Sequence, residues 1–530
     1  MTQTDDERIA TGRRMSHATQ LSRQTRKIPD AAALSHGGVT LTYAQLNGRV
    51  CAVARGLAAL GVGRGDRVAV FMMNRTEVVE SYLAVMKLGA IVVPVNFRLT
   101  VPEAEYIVEN ADAKVLIADD DLIESARQLG PVQDDAESPV VLVHASSGPV
   151  EGAHSYADLL REDDADFDLD VPESDPAFIM YTSGTTGRPK GAVLTHMNLF
   201  MNSVNANTIQ GVSREDEVWL SGLPLFHIGG LNGILMYLLV GGHSVLMESG
   251  NFSAEAAVAT IEEYGVTACY FVPTQWRDIC EVPDVSRRAS SLRRISWGAS
   301  IAPPSTLQAM ADTFEGVPNF NMFGQTEMSS VTCMLRGEDA VRKMGTVGRP
   351  ISNVEARIVD PNGDDCPVGE VGEIVYRGPT VMREYWRNPQ ATAEAFRDGW
   401  FHSGDLCVAD EDGFITVVDR SKDMIISGGE NIYSAEVEAA IDAHPKVREV
   451  SVVARPHAKW VETPTAFIVP VEGAEGPTED EIIAFCRERL ASYKKPTAIV
   501  IVDELPKNAV GKIQKFRLRE EAQSLTNDEE

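Results

Sequence analysis

The sequence predicts an α/β protein: a large N-terminal domain of wound α/β sheets plus a small β region, then a small α+β C-terminal domain. Three observations carry that reading. Through the first half, apolar strand-like runs alternate with helical patterns at the spacing of a wound parallel sheet. After about residue 345, short strands are separated by Asn-Gly, Pro-Val-Gly and Asp-Gly turns near Asn362, Pro367 and Asp412, which suits a smaller antiparallel region. The last hundred or so residues alternate helix and strand on a shorter scale.

Taken in order, residues 67–71 and 90–95 are expected strands bracketing a helix over 78–88, and 114–118 is the next strand. The acidic stretch 161–176 reads as an exposed connection. Residues 177–180 and 266–272 read as further strands. The most apolar run, 231–240, is about half the length needed to cross a bilayer, and Asn232 and Gly233 interrupt it, so a buried helix is expected. Near the end, 435–443 and 479–490 are helical and 450–454 and 498–502 are strands.

At 530 residues the chain is too long for one ordinary core, and about two to four domains are expected. Hydrophobic content of 44% and charged content of 24% exclude wholesale disorder and a collagen-like fibre. The net charge is −29, from 48 Lys plus Arg against 77 Asp plus Glu, which argues against nonspecific binding to nucleic acid or anionic membrane. The first fifteen residues have no apolar run of the secretory type. Seven scattered cysteines without a CxxC spacing make a poor disulfide or metal framework, so a reducing cytoplasm is expected. Between Arg487 and Arg519, nine basic residues face three acidic ones, while the rest of the chain holds 39 basic and 74 acidic. Such an island suits a polyanionic small ligand or a solvated helix face.

The densest motif runs from Tyr181 through Thr182, Ser183, Gly184, Thr185, Thr186, Gly187, Arg188 and Pro189 to Lys190 and Gly191, directly after a strand-like run. Glycines let the backbone turn its N–H groups inward, the hydroxyls add donors and Lys190 adds charge: the parts of an anion cradle. It is not a Walker A loop, which needs Gly-Lys-Ser/Thr opening a helix; here Pro189 precedes the lysine and Gly191 follows it.

With this loop the chain resembles the adenylate-forming enzymes, the superfamily of acyl-CoA synthetases, luciferases and adenylation domains. The likeness is greatest to bacterial acyl-CoA ligases of the fatty-acid–CoA type and runs from about Thr40 to Arg519. The resemblance implies ATP-binding roles for the loop (Thr182, Ser183, Gly184, Thr185, Thr186, Gly187, Lys190), for Gly298, Ala299 and Ser300 beside the adenine, and for Asn321, Met322, Phe323 and Gly324 on its other side. Phe323 can stack on a purine, Thr326 can donate to the α-phosphate, and the Glu327 carboxylate suits magnesium. Taken alone, Thr326 and Glu327 also fit a helix cap. Asp405 is similar to the family's ribose-binding aspartate and Arg420 to its ribose- and phosphate-contacting arginine. Lys422 stands where the family hinges its mobile small domain, dividing the chain into 1–419 and 420–530.

Lys512 aligns with the catalytic lysine, where a cation can bridge a carboxylate and an α-phosphate. Gly428 and Gly429 resemble the turn beside the pantetheine arm of coenzyme A, and Lys494 and Lys495 are candidates for its phosphates. His227 matches a position near the acyl carboxylate, although a lone histidine among apolar residues is commonly a satisfied core residue. Trp297 stands where many relatives have glycine, so an acyl pocket lined there is shortened and a long straight chain disfavoured. Ser434 replaces a common proline, a change expected to matter little. Trp460-Val461-Glu462 departs from a usual Trp-Gly-Glu, which bears on small-domain docking.

The resemblance implies an ATP-dependent acid–thiol ligase using ATP, Mg2+ and coenzyme A, with a place in fatty-acid or lipid metabolism and a carboxylic acid that is medium-chain, branched, alicyclic or aromatic. Rivals are a luciferase-like oxygenase, a carrier-loading adenylation domain and a non-catalytic adenylate-binding scaffold. A homodimer is the commonest soluble assembly.

Overall fold

The computed structural model describes residues 5–132, 140–146, 152–182, 189–213, 215–250, 252–299, 302–427, 430–457, 459–471, 473, 476–507 and 513–525. Among them the strands form four sheets, of nine, eight, five and five strands.

The eight-stranded sheet has a parallel centre, in which Arg67–Phe71 pairs with Ile91–Pro94 and Ala113–Asp119, and Ile91–Pro94 with Pro176–Thr182. Val68 to Phe71 and Val115 to Asp119 are buried without alternation, as parallel strands covered on both faces require. The helix between them, Thr76–Lys87, is buried from Val78 to Lys87. Two charges go inside with it. Glu80 is met by Arg49 and by the Tyr156 hydroxyl at 3.2 Å, and Lys87 donates to Ser22 at 2.8 Å.

The nine-stranded sheet is parallel from Asn319–Gln325 through Arg294–Gly298, Ala268–Phe271, Val218–Ser221 and His243–Leu246 to Ala32–His36. The apolar run read as a buried helix is Ile228–Val240. Gly233 is required there, because a Cβ would meet the Trp219 ring at 2.6 Å, and Trp219 stacks on Tyr237 at 4.9 Å. One apolar cluster links Val68 and Val92 of one sheet to Trp219 and Ala268 of the other through Leu199 and Tyr237, so the main core lies between the two sheets.

The turn-rich region is antiparallel as expected: Glu355–Val359, Gly372–Arg377, Trp400–Ala409, Phe396–Arg397 and Ile415–Arg420 form one sheet. The small domain has its own sheet, in which Val447–His457, Val461–Pro470 and Ala498–Ile501 are backed by helices Ser434–Asp442, Glu479–Arg487 and Lys515–Ser524. Body and small-domain sheets part between Arg420 and Ile425.

One connection is more than a loose link. The acidic stretch is strapped to the body: Asp166 accepts from Ser22, Asn47, Arg26 and Lys87, Asp170 pairs with Arg14 at 2.6 Å and Asp175 with Arg64 at 2.6 Å. Its carboxylates meet cations more than 70 residues away in sequence, a pairing that local charge patterning does not reveal.

Candidate active site

Parallel strands deliver their following loops to one edge, which is where open α/β sheets place ligands. At that edge of the nine-stranded sheet lie the segment after Val218–Ser221 that carries His227, Gly298 and Ala299 after Arg294–Gly298, and Thr326 and Glu327 after Asn319–Gln325. The anion-cradle motif joins two antiparallel strands, Pro176–Thr182 and Lys190–Thr195, with Thr182 opposite Lys190. Lys190 thus opens a strand and not a helix, in keeping with the motif's departure from Walker A. Ser183, Gly184, Thr185, Thr186 and Gly187 lie outside the described residues, as do Ser300, Gly428, Gly429 and Lys512.

The two sheets meet at Glu327. Its carboxylate, 9% exposed, accepts the Thr182 hydroxyl at 3.5 Å and the Tyr385 hydroxyl at 2.9 Å, both at Oε1. Lys190 Nζ lies over the Tyr385 ring, 5.3 Å from its centroid. Burial and the Glu327 carboxylate raise the Tyr385 hydroxyl well above its ordinary value, so it stays a donor. Glu327 begins no α-helix; Thr326–Met328 is a single tight turn whose backbone carbonyl at Glu327 accepts from Met382 N at 2.6 Å.

Across from Glu327, the two glycines named in the sequence, Gly298 and Gly324, are fixed by backbone packing. A Cβ on Gly298 would lie 2.2 Å from the Met322 carbonyl and one on Gly324 1.7 Å from that of Ser330. Ala299 turns the chain with φ of 67°, a conformation costly for a non-glycine residue. Asn321 is buried and donates to the Thr346 carbonyl at 3.1 Å, whereas Met322, Phe323 and Thr326 stay half-buried. Trp297, 5% exposed, packs in a cluster with Phe271, Trp276 and Leu307. His227 caps the helix Ile228–Val240: its Nδ1 accepts from Gly229 N at 3.2 Å, which fixes the ring orientation.

Asp405 and Arg420 are direct cross-strand neighbours and pair at 2.9 Å. Asp405 first, with Glu327 adding, holds the Arg420 guanidinium above its ordinary value. Thr182, Lys190, Glu327, Arg420 and Asp405 are thus gathered from three sheets, and Lys422 follows directly. The basic island is not: Lys494 is clamped to Glu436 at 2.7 and 2.8 Å, Lys507 pairs with Glu449 at 2.6 Å, and Lys495 reaches Ser492 at 3.3 Å. Its charge is largely answered by carboxylates of neighbouring elements. Tyr385 was not legible in the sequence, since its two-residue strand, Glu384–Tyr385, has no periodicity.

The profile of the AMP-binding enzymes matches residues 21–386, and that of the AMP-binding enzyme C-terminal domain matches residues 436–512. The chain belongs to the AMP-binding enzyme family. A feruloyl-CoA synthase from Amycolatopsis sp is 39% identical over 498 residues, covering 94% of this chain and 97% of that one. An indoleacetate–CoA ligase from Aromatoleum aromaticum is 37% identical over 497 residues, covering 93% and 95%. Among solved structures, o-succinylbenzoate CoA synthetase (MenE) from Bacillus subtilis with its acyl-adenylate superposes with a TM-score of 0.82 at 31% identity, covering 96% of this chain and 99% of that one. MenE is also known with ATP and a magnesium ion.

For this AMP-binding enzyme the donors around Glu327 fit magnesium. They are hard oxygens, the Glu327 carboxylate and the hydroxyl of Thr182 beside it. Among the described residues no group of three or more His, Cys, Asp or Glu could hold a metal alone. An ion there would be held by Glu327, with its remaining positions left to the phosphates of a bound nucleotide, the usual habit of magnesium.

Proposed function

We propose that the acid this enzyme activates is compact and ring-bearing. The enzyme itself is an ATP-dependent acid–thiol ligase: it joins a carboxylic acid to AMP with release of pyrophosphate, then moves the acyl group to coenzyme A. The observation that carries the substrate reading is Trp297, a buried indole on the strand that leads into Gly298 and Ala299. On this reading the acyl pocket is lined at that position, where a rigid ring takes up volume that a long chain needs. The names of the curated relatives support this, since feruloyl, indoleacetyl and succinylbenzoyl groups all carry a ring. A role in fatty-acid metabolism is the reading this one displaces.

In the first step the carboxylate attacks the α-phosphorus and the bond to pyrophosphate breaks. Thr182, Lys190 and the loop between them hold the β- and γ-phosphates, Thr326 donates to the α-phosphate and Phe323 stacks on the purine. Asp405 takes the ribose hydroxyls while Arg420, anchored on Asp405, faces the phosphates. Magnesium, when bound at Glu327, supplies positive charge to the departing oxygens. Lys512 bridges the two anions that must meet. In the second step the small domain turns about Lys422 and the thiol attacks the acyl carbonyl, releasing AMP. Gly428 and Gly429 flank the pantetheine arm, and Lys494 and Lys495 its phosphates once Glu436 lets go of Lys494. His227 orients the acid from the helix cap. Seven unpaired cysteines suit a reducing cytoplasm, and among the described residues no helix is long and apolar enough to cross a membrane.

The test is AMP release from magnesium ATP against a panel of acids, with and without coenzyme A. Ring-bearing acids are expected to exceed straight-chain acids of equal carbon number by about tenfold or more in kcat/KM, a difference of roughly 1.4 kcal/mol. Trp297→Leu should narrow that gap. A preference for straight chains would overturn the substrate reading, and AMP release indifferent to coenzyme A would point to another acceptor.

A further inference from the structure

A buried chain of hydrogen bonds crosses the boundary between body and small domain. Asp419, 6% exposed, sits on the body strand Ile415–Arg420, where it lies opposite Leu406. Its Oδ2 accepts both the backbone N–H of Ser434, at 2.6 Å, and the Ser434 hydroxyl, at 2.8 Å. Ser434 is fully buried and opens the small-domain helix Ser434–Asp442. Lys515 donates to the Ser434 hydroxyl at 2.6 Å and pairs with Glu438 at 2.8 Å. Glu438 in turn accepts the Val452 N–H at 2.7 Å, which ties the chain into the central strand Val447–His457. Lys515 opens the helix that begins three residues beyond Lys512.

The replacement of a common proline by Ser434 was expected to matter little. The structure corrects that expectation, because a proline has neither an N–H nor a hydroxyl and can make neither bond to Asp419. The two residues stand on opposite sides of Lys422. Hydrogen bonds of this kind weaken steeply once donor and acceptor part by more than a few tenths of an ångström. A rigid turn of the small domain about Lys422 leaves Asp419 with the body and carries Ser434 away.

We propose that Asp419 and Ser434 form a releasable catch that holds the small domain in the present orientation, with Lys515 as the positioning residue that links the catch to the helix following the Lys512 segment. The catch sets how the enzyme divides its time between its two half-reactions. This rests on the reading that Lys422 is the hinge and Lys512 the adenylation lysine.

The experiment uses the full chain and measures two rates separately: acid-dependent pyrophosphate release, and thioester formation from a supplied acyl-adenylate and coenzyme A. Ser434→Ala and Asp419→Asn are each expected to change the ratio of the two rates by threefold to tenfold, in the same direction. The double variant should change it no more than the larger single one, because Asp419→Asn already weakens the bond that Ser434→Ala removes, and Ser434→Thr should restore the wild-type ratio. A ratio within twofold of wild type in both single variants, whatever happens to Tm, overturns the catch and leaves a helix cap. Ser434→Ala and Asp419→Asn keep the backbone donor or the side-chain shape, so the test stands even where Ser434→Pro does not fold. Lys512→Ala is the control: if it fails to slow pyrophosphate release more than thioester formation, the reading of the two half-reactions fails, independently of the catch.

Discussion

Tyr385 donates to Oε1 of Glu327 at 2.9 Å while its ring lies beneath Lys190. The strand Glu384–Tyr385 pairs with Lys190–Thr195 at the sheet edge, placing Tyr385 opposite Ala192. One side chain therefore fixes both the carboxylate proposed for magnesium and the lysine proposed for the phosphates, and burial keeps its hydroxyl protonated at any working pH.

Tyr385→Phe keeps the ring under Lys190 and removes only the bond to Glu327. The half-saturating magnesium concentration is expected to rise about threefold to tenfold, with a smaller change in the KM for the acid, as fits loss of one charge-assisted hydrogen bond of roughly 1 kcal/mol. Magnesium titration of pyrophosphate release measures this; an unchanged magnesium dependence would refute the positioning role.

Asp405 and Arg420 make a second prediction. Asp405→Asn should raise the KM for ATP about tenfold with the fold intact. Arg420→Met leaves the buried Asp405 carboxylate without its partner. The pair is partly open at the arginine, so the cost is discounted to about 2 kcal/mol, read as a lower Tm. A variant with an unshifted ATP dependence would remove Asp405 from the nucleotide site.

Acid sensitivity follows from two buried histidines. Burial pushes His17 down to about 3 and His196 to about 4, so both are neutral in the folded chain. Unfolded, they titrate near 6.5. Between those values the unfolded chain binds protons that the folded chain refuses, so stability is flat above about pH 6.5 and falls as pH drops towards 4. The slope is about 1.4 kcal/mol per pH unit for each histidine. His17 bonds Ser203 at 3.1 Å, and His17→Gln should reduce the fall of Tm between pH 6.5 and 4.5, by the equivalent of about 1.4 kcal/mol per pH unit. Equal slopes in variant and wild type would count against the assignment.

Val461 is the fourth case. It has φ of 71° and is 69% exposed at the start of Val461–Pro470. A β-branched residue in the left-handed region is strained, and a glycine there is not. Val461→Gly should raise stability by about 1 kcal/mol, seen as a higher Tm. A lower Tm would show that the isopropyl group makes contacts worth more than the strain.

The strands and helices of the first half could be read from the sequence because burial on both faces leaves a local trace, a run of Val, Ile, Leu and Ala such as Val68 to Val70 or Val92 and Val93. The cradle motif and the glycines at 298 and 324 were legible for a similar reason, since each position tolerates few residue types. The strap of Asp166 on Lys87 was not, nor the role of Tyr385, because each depends on a partner far away in the chain.

By itself the sequence determined the wound α/β body, the small α+β domain after it and the residue types of an ATP site, all of which are set by local periodicity and by steric demands at single positions. Only the tertiary structure decided that Thr182, Glu327, Tyr385, Arg420 and Asp405 meet, that Lys494 and Lys507 of the basic island are paired with Glu436 and Glu449, and that Ser434 reaches Asp419. Hydrogen bonds and ion pairs act over a few ångströms of space whatever the separation in sequence, and strand order, not sequence neighbourhood, brings those side chains within reach.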